Sequence, residues 1–136
     1  MKKEKSCGGI VYKYHQNELY ILMIEMNPGH WSFPKGHVEG NETEIETAIR
    51  EIKEETNIDV IIDTKFRMVT TYNPTKEILK DVIYFVATPI SDDIKRQVEE
   101  ISDLKWIYYD DALKVVTYES DKNILEKAIE YIQSKR

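Results

Sequence analysis

At residue 43 the chain changes period, and few folds accommodate what lies on either side. Residues 27–41, NPGHWSFPKGHVEGN, hold three of the five glycines and two of the four prolines. That composition predicts a long loop, and long loops inside compact domains are usually functional or disordered. The aromatic rings of Trp31 and Phe33 argue for order. From Thr43 to Thr56 the pattern becomes helical, with Ile45, Ala48, Ile49 and Ile52 spaced as a buried stripe. Around this loop and helix, β-branched and aromatic content predicts strands over residues 8–14, 19–26, 59–66 continuing toward Tyr72, 82–88 and 104–109. His15-Gln16-Asn17-Glu18 joins the first two as a hairpin. A second amphipathic helix is expected over 120–133, with Ile124, Leu125, Ala128, Ile129 and Ile132 inward and Ser120 or Asp121 as cap. Strands mixed with one early and one late helix predict an α/β domain with helices packed on a mixed sheet.

A chain of 136 residues is expected to form one domain, residues 1–136, burying about two thirds of its unfolded surface. Its 41% hydrophobic and 32% charged composition is that of a soluble globule. Apolar stretches such as residues 20–24 fall far short of the roughly 20 residues a membrane span needs. Cys7 is the sole cysteine, so an internal disulfide is excluded and a cytoplasmic location is expected. The net charge of −6 makes a poor non-specific binder of nucleic acid, whose affinity comes from Lys and Arg displacing counterions. A polyanionic substrate would need another anchor, and a metal ion is the natural one.

Within the predicted helix, REIKEE at residues 50–55 sets Glu51, Glu54 and Glu55 at spacings i, i+3 and i+4. Like charges at those spacings cost a few tenths of a kcal/mol per pair. At about 100° per residue the three centre roughly 120° from the apolar stripe, so they are expected to face away from the core. A solvated acidic face is the plain reading, but the neighbouring residues weigh against it. The preceding loop frames His37-Val38-Glu39 between Gly36 and Gly40 and is followed by Glu42. Glycine lets backbone N–H groups approach a phosphate closely. Grouped hard oxygen ligands suit Mg²⁺, which bridges one or two carboxylates to substrate phosphates and would offset the repulsion.

Gly36, five residues, Glu42, seven residues, Arg50-Glu51-Ile52-Lys53-Glu54-Glu55, one residue and then Asn57-Ile58 resembles the Nudix box, here residues 36–58. The family usually has glycine where Asn57 stands. That position closes the helix, where a left-handed conformation is expected and Asn is the next best residue. The resemblance implies the Nudix α/β/α sandwich, with a central mixed sheet and the box as a loop–helix–loop. It implies hydrolysis of a nucleoside diphosphate linked to another moiety, with Mg²⁺ or Mn²⁺ as cofactor. It also implies Glu51 and Glu55 as metal ligands, Glu54 as a ligand or as the base for the attacking water, and the Gly36 carbonyl as a further ligand. Arg50, at i+4 from Glu46 and i−4 from Glu54, is suited to orient the carboxylates by charge-assisted hydrogen bonds. Alone it would read as a surface ion pair of little worth.

Two further segments are similar to the asymmetrical dinucleoside tetraphosphate hydrolases. Trp31 to Glu39 matches their W-x-x-P-K-G-H-V-E segment and implies that Lys35 and His37 face substrate. RNA pyrophosphohydrolases more often carry P-Q-G-G there, and diphosphoinositol polyphosphate hydrolases P-K-G-G. Lys80 to Ala87 resembles their K-x-V-x-Y-F/W-L-A strand. By that match Lys80 is a point charge for the distal phosphates, with Tyr84 on the same strand face. Tyr72 matches an aromatic that stacks on adenine, and Tyr118 is expected on the other ring face. Such stacking is worth about 1–3 kcal/mol per base. With nine tyrosines in the chain, a half-buried core residue is the competing reading for each, although the TTYNP context of Tyr72 favours exposure. Glu100, six residues before a core Trp106, matches an extra loop carboxylate that completes the metal site or acts as base, with Glu99 as the neighbour in a shifted alignment. Cys7 and His30 receive no role.

The expected activity is cleavage of a phosphoanhydride bond in a dinucleoside polyphosphate, typically diadenosine tetraphosphate to ATP and AMP. The expected partner is a small nucleotide, with no membrane and no stable nucleic-acid partner, the chain being a monomer or homodimer. One alternative is an RNA 5′ pyrophosphohydrolase or nucleoside triphosphate pyrophosphohydrolase, and the acidic charge disfavours long RNA. Another is a catalytically silent nucleotide sensor, disfavoured because a pure binder has no need of three box carboxylates.

Overall fold

The computed structural model describes residues 1–97 and 99–136. In chain order it contains β1 (Lys2–His15), β2 (Glu18–Asn27), β3 (His30–Ser32), β4 (Lys35–His37), α1 (Glu44–Thr56), β5 (Val60–Thr75) and β6 (Ile78–Pro89). Then follow β7 (Asp103–Tyr108), α2 (Tyr109–Val115) and α3 (Glu119–Ser134). β1 is the hinge of the sheet. Its first ten paired residues, Lys2 to Val11, run parallel to β6, and its last four pair antiparallel with β2. β5 adds antiparallel to the far side of β6, β7 and β3 flank β2, and β4 pairs with β1 at Ser6 to Gly8. The sheet is mixed, as expected.

Strand alternation divides the core in two. Ile10, Val82, Tyr84 and Val86 point to one face, where Ala112 of α2 and Ile124, Leu125, Ala128, Ile129 and Ile132 of α3 cover them. Val11, Ile83, Phe85 and Ala87 point to the other, against Ala48 and Ile52 of α1. β6 is therefore apolar on both faces, which is why residues 82–87 read as a continuous run and not an alternating one. The inward residues of α3 are those the period predicts.

Local signals explain most element ends. Gln16 and Asn17 both take positive φ, 51° and 68°, the two-residue turn that matches strand twist in a hairpin. Thr43 caps α1 in a full capping box with Glu46, whose carboxylate accepts from the Thr43 amide at 2.9 Å. Asn57 ends α1 at φ 67°, ψ 10°, the expected left-handed conformation.

Four expectations need correction. The loop over 27–41 carries two three-residue strands, β3 and β4, because its backbone finds partners in β2 and β1. The helix α2 was not expected, being too short to show a period. α1 is rolled relative to the apolar stripe: Thr47, Ala48, Ile52, Glu55 and Thr56 are buried, while Ile45 and Ile49 are exposed. The small Thr47 and Ala48 side chains face the sheet. Finally, α3 is capped by Tyr118 without a side-chain hydrogen bond, since the Asp121 carboxylate is engaged elsewhere. Among the described residues no helix is long and apolar enough to cross a membrane.

Candidate active site

The roll of α1 separates the three box carboxylates, contrary to the expectation that all face away from the core. Glu54 is half exposed, its side chain 49% accessible, whereas that of Glu51 is 13% accessible. Glu55 is 2% exposed and accepts a hydrogen bond from the Lys35 amide at 2.9 Å. Burial, and then the charge of Glu51, pushes the Glu55 carboxyl up to about 8. Burial also raises Glu51, and the hydrogen bond from Arg50 opposes it.

Arg50 is the hub of this face. Its Nε and Nη2 donate to Glu42 at 2.7 and 2.9 Å, and Nη1 donates to Glu51 at 2.8 Å and Glu54 at 3.2 Å. Nη2 also donates to the His37 carbonyl at 2.9 Å, tying the loop to the helix. The expected link to Glu46 is absent because Glu46 serves the capping box. The fork to Glu42 was not anticipated, though Glu42 belongs to the box pattern. That fork, followed by the Glu39 amide, holds the Glu42 carboxyl down at about 2.

Gly36 sits on β4 directly against the Glu51 carboxylate, and a Cβ there would fall on the carboxylate atoms. No side chain could stand between this backbone and the carboxylate. The oxygen donors Glu51, Glu54 and Glu55 on one helix, with the Gly36 backbone beside them, have the chemistry a hard divalent cation takes. Glu100 is exposed and near enough for its charge to act on both Glu51 and Glu55. Among the described residues no three His, Cys, Asp or Glu side chains converge on one point. Arg50 holds Glu51 and Glu54, and the Lys35 amide holds Glu55.

Beside the carboxylates opens a cavity of about 460 Å³, within the usual range for ligand pockets. Tyr72 from β5 and Tyr118 at the head of α3 both line it, and both are exposed large aromatics. His30, given no role by the sequence, also lines the cavity, its ring centroid 6.0 Å from that of Tyr118. Lys35 is a wall of the same cavity while its amide engages Glu55, so one residue joins the cleft to the acidic face. Tyr84 is fully buried at the cavity wall, its ring edge-on to Phe33 at 5.4 Å. Its hydroxyl has no partner among the described residues.

Lys80 is buried and paired in register with Tyr72 across β5 and β6, with burial and then Lys35 lowering its pKa. His37 lies apart from the cavity, exposed, with Nε2 3.4 Å from Glu4. Sequence reading missed Ser32 and misread Asp121 as a cap. Ser32 Oγ donates to Asp121 Oδ2 at 2.8 Å, and both line the cavity. Only the packing of β3 against α3 brings them together. Burial raises the Asp121 carboxyl, opposed by the Ser32 hydrogen bond and then by Lys35.

Residues 4–128 match the family described as NUDIX domain. The bis(5′-nucleosyl)-tetraphosphatase [asymmetrical] of Rattus norvegicus is 30% identical over 142 residues, 96% of each chain. The enzyme of the same name from Caenorhabditis elegans is 31% identical over 132 residues, 90% of this chain and 92% of its own. Among solved structures, a C. elegans Ap4A hydrolase binary complex superposes with a TM-score of 0.86 at 30% identity, covering 96% of this chain and 98% of the other.

Proposed function

The chain belongs to the Nudix family, and from that premise we propose that it hydrolyses a phosphoanhydride bond in dinucleoside polyphosphates, typically diadenosine tetraphosphate to ATP and AMP. We read residues 1–136 as one Nudix hydrolase domain. The observation that carries the substrate reading is the junction at Lys35. There an aromatic cleft built by Tyr72 and Tyr118 opens beside the carboxylates of α1. A dinucleoside polyphosphate asks for that pairing, a flat apolar slot for a base next to a charged site for the phosphate chain. The relatives that carry the tetraphosphatase name match almost the whole chain.

In this reading Tyr72 and Tyr118 stack on one adenine, a contact worth about 1–3 kcal/mol per base. Lys35 and Lys80 supply positive charge to the phosphates leading out of the cleft, and His37 stands at the loop end of that path. Glu51, Glu55 and the Gly36 carbonyl, with Glu54 as a further ligand or as the base, would hold Mg²⁺ or Mn²⁺, which would supply neutralisation of phosphoryl charge and a lowered pKa for water. Glu54, the most open of the three, is placed to accept the proton of the attacking water where it does not serve the metal, and Glu100, from the loop before β7, completes the metal site or acts as base. Arg50 positions Glu51 and Glu54 through its hydrogen bonds, braced by Glu42.

The test is a substrate panel with Mg²⁺: dinucleoside polyphosphates, nucleoside triphosphates, nucleotide sugars and 5′-triphosphate RNA, ranked by kcat/KM. Diadenosine tetraphosphate should rank first and yield ATP and AMP. A higher rank for triphosphate RNA or a nucleoside triphosphate would overturn the substrate reading. Absence of turnover across the panel would overturn the enzyme reading.

A further inference from the structure

The cavity wall holds a carboxylate that neither metal handling nor stacking uses. Asp121 lies in the first turn of α3 and is only 6% exposed. An acidic residue there complements the helix dipole, but that complement operates at exposed first-turn positions too and does not require burial. Burying a carboxylate is costly unless its oxygens are partnered. Oδ2 accepts from Ser32 Oγ, the one hydrogen bond that holds the carboxylate among the described residues. The same cavity contains the fully buried hydroxyl of Tyr84, which lies toward Ser32 without a hydrogen bond of good geometry. A buried carboxylate held by a single hydrogen bond and a buried hydroxyl held by none of good geometry, in the wall of a cleft flanked by Tyr72 and Tyr118, describe a surface shaped for a polar ligand edge.

Charge decides which part of a nucleotide meets it. A carboxylate repels phosphate, so the phosphate chain runs toward Lys35 and the α1 face, and the base end lies against Asp121. Ionised or protonated, Asp121 retains an acceptor oxygen for an N–H donor. Resting on the reading that the cleft takes a nucleotide base, we propose that Asp121 is a specificity-determining residue that accepts a hydrogen bond from an N–H donor on the nucleobase edge. For adenine that donor is the 6-amino group. Ser32 fixes the carboxylate's orientation through its hydroxyl. A base without such a donor leaves Asp121 enclosed with Ser32 as its single partner, and sites built to bond a substrate N–H reject analogues lacking it strongly.

The experiment compares ATP with purine riboside 5′-triphosphate, which differs only in lacking the 6-amino group, as competitive inhibitors of diadenosine tetraphosphate hydrolysis. Wild type should bind ATP roughly ten-fold or more tightly than the analogue. In Asp121→Ala the preference should collapse toward unity, and Asp121→Leu provides a second variant should the first fail to fold. Equal inhibition of wild type by the two nucleotides, or none by either, overturns the assignment. So does a preference that survives intact in either folded variant, since the amino group is then read elsewhere. If wild type does not hydrolyse diadenosine tetraphosphate at all, the substrate reading fails first. If it does and the preference is absent, only the role of Asp121 fails.

Discussion

Arg50 grips Glu42 with a two-pronged hydrogen bond, Nε to Oε2 at 2.7 Å and Nη2 to Oε1 at 2.9 Å, across eight residues of sequence. The fork fixes the plane of the guanidinium, leaving Nη1 aimed at Glu51 and Glu54. A lysine ammonium cannot reproduce this geometry. Arg50→Lys should therefore lower kcat by about 10–100-fold, the usual effect of losing a group that orients metal ligands. It should also raise the Mg²⁺ concentration needed for half-maximal rate. Wild-type values of both would show that the carboxylates orient themselves.

Glu54→Gln and Glu55→Gln should each reduce kcat by orders of magnitude with the fold intact by circular dichroism. Burial already holds Glu55 largely protonated at neutral pH without metal, so the metal-free Glu55→Gln variant, nearly isosteric with that form, should melt close to wild type. Near-normal turnover in both would remove α1 from the chemistry.

Tyr72→Ala tests the stacking slot. A base held far from the broken bond contributes to ground state and transition state alike. KM for diadenosine tetraphosphate should rise about ten-fold or more, with kcat falling far less than in Glu54→Gln. Hydrolysis of a short inorganic polyphosphate, which has no base, should barely respond. Equal slowing of both substrates would make Tyr72 a framework residue.

Asn57 holds φ 67° and also donates through Nδ2 to the Asp93 carbonyl at 2.9 Å. Asn57→Gly should keep the backbone conformation and lose only that exposed bond. Asn57→Val should destabilise by about 1–2 kcal/mol more, because a β-branched residue resists left-handed backbone. Matching denaturant midpoints for the two would contradict the cap geometry.

Acid stability should depend on Glu44, which is held at about 2 by hydrogen bonds from Arg67, against burial, with Lys5 adding to the hold. Arg67 donates to it through Nε at 2.8 Å and Nη2 at 2.9 Å. The folded pKa lies below the unfolded value near 4.5, so this stabilisation is present above that pH and is lost as pH falls toward 2. Arg67→Met should melt lower than wild type at pH 6, and the two curves should converge as the pH drops through that window. A constant gap down to pH 2 would rule the pair out.

What the chain carried locally was legible before any packing was known. The Gln16-Asn17 turn, Asn57 and the spacing of Gly36, Arg50 and the glutamates act over a few residues, where side-chain reach and backbone conformation decide the outcome. Period likewise predicted the inward residues of α3, because its apolar positions match one face without competition. α1 was different. Its apolar stripe fitted the sheet only in part, and contact with the sheet decided for Thr47, Ala48 and Ile52 over Ile45 and Ile49. That roll buried Glu55, exposed Ile45 and Ile49, and gave three adjacent glutamates three environments. The base cleft was decided in the same way. Tyr72, Ser32, Tyr84 and Asp121 come from four separate elements, and no local property of any of them encodes the distance at which a folded sheet sets them together.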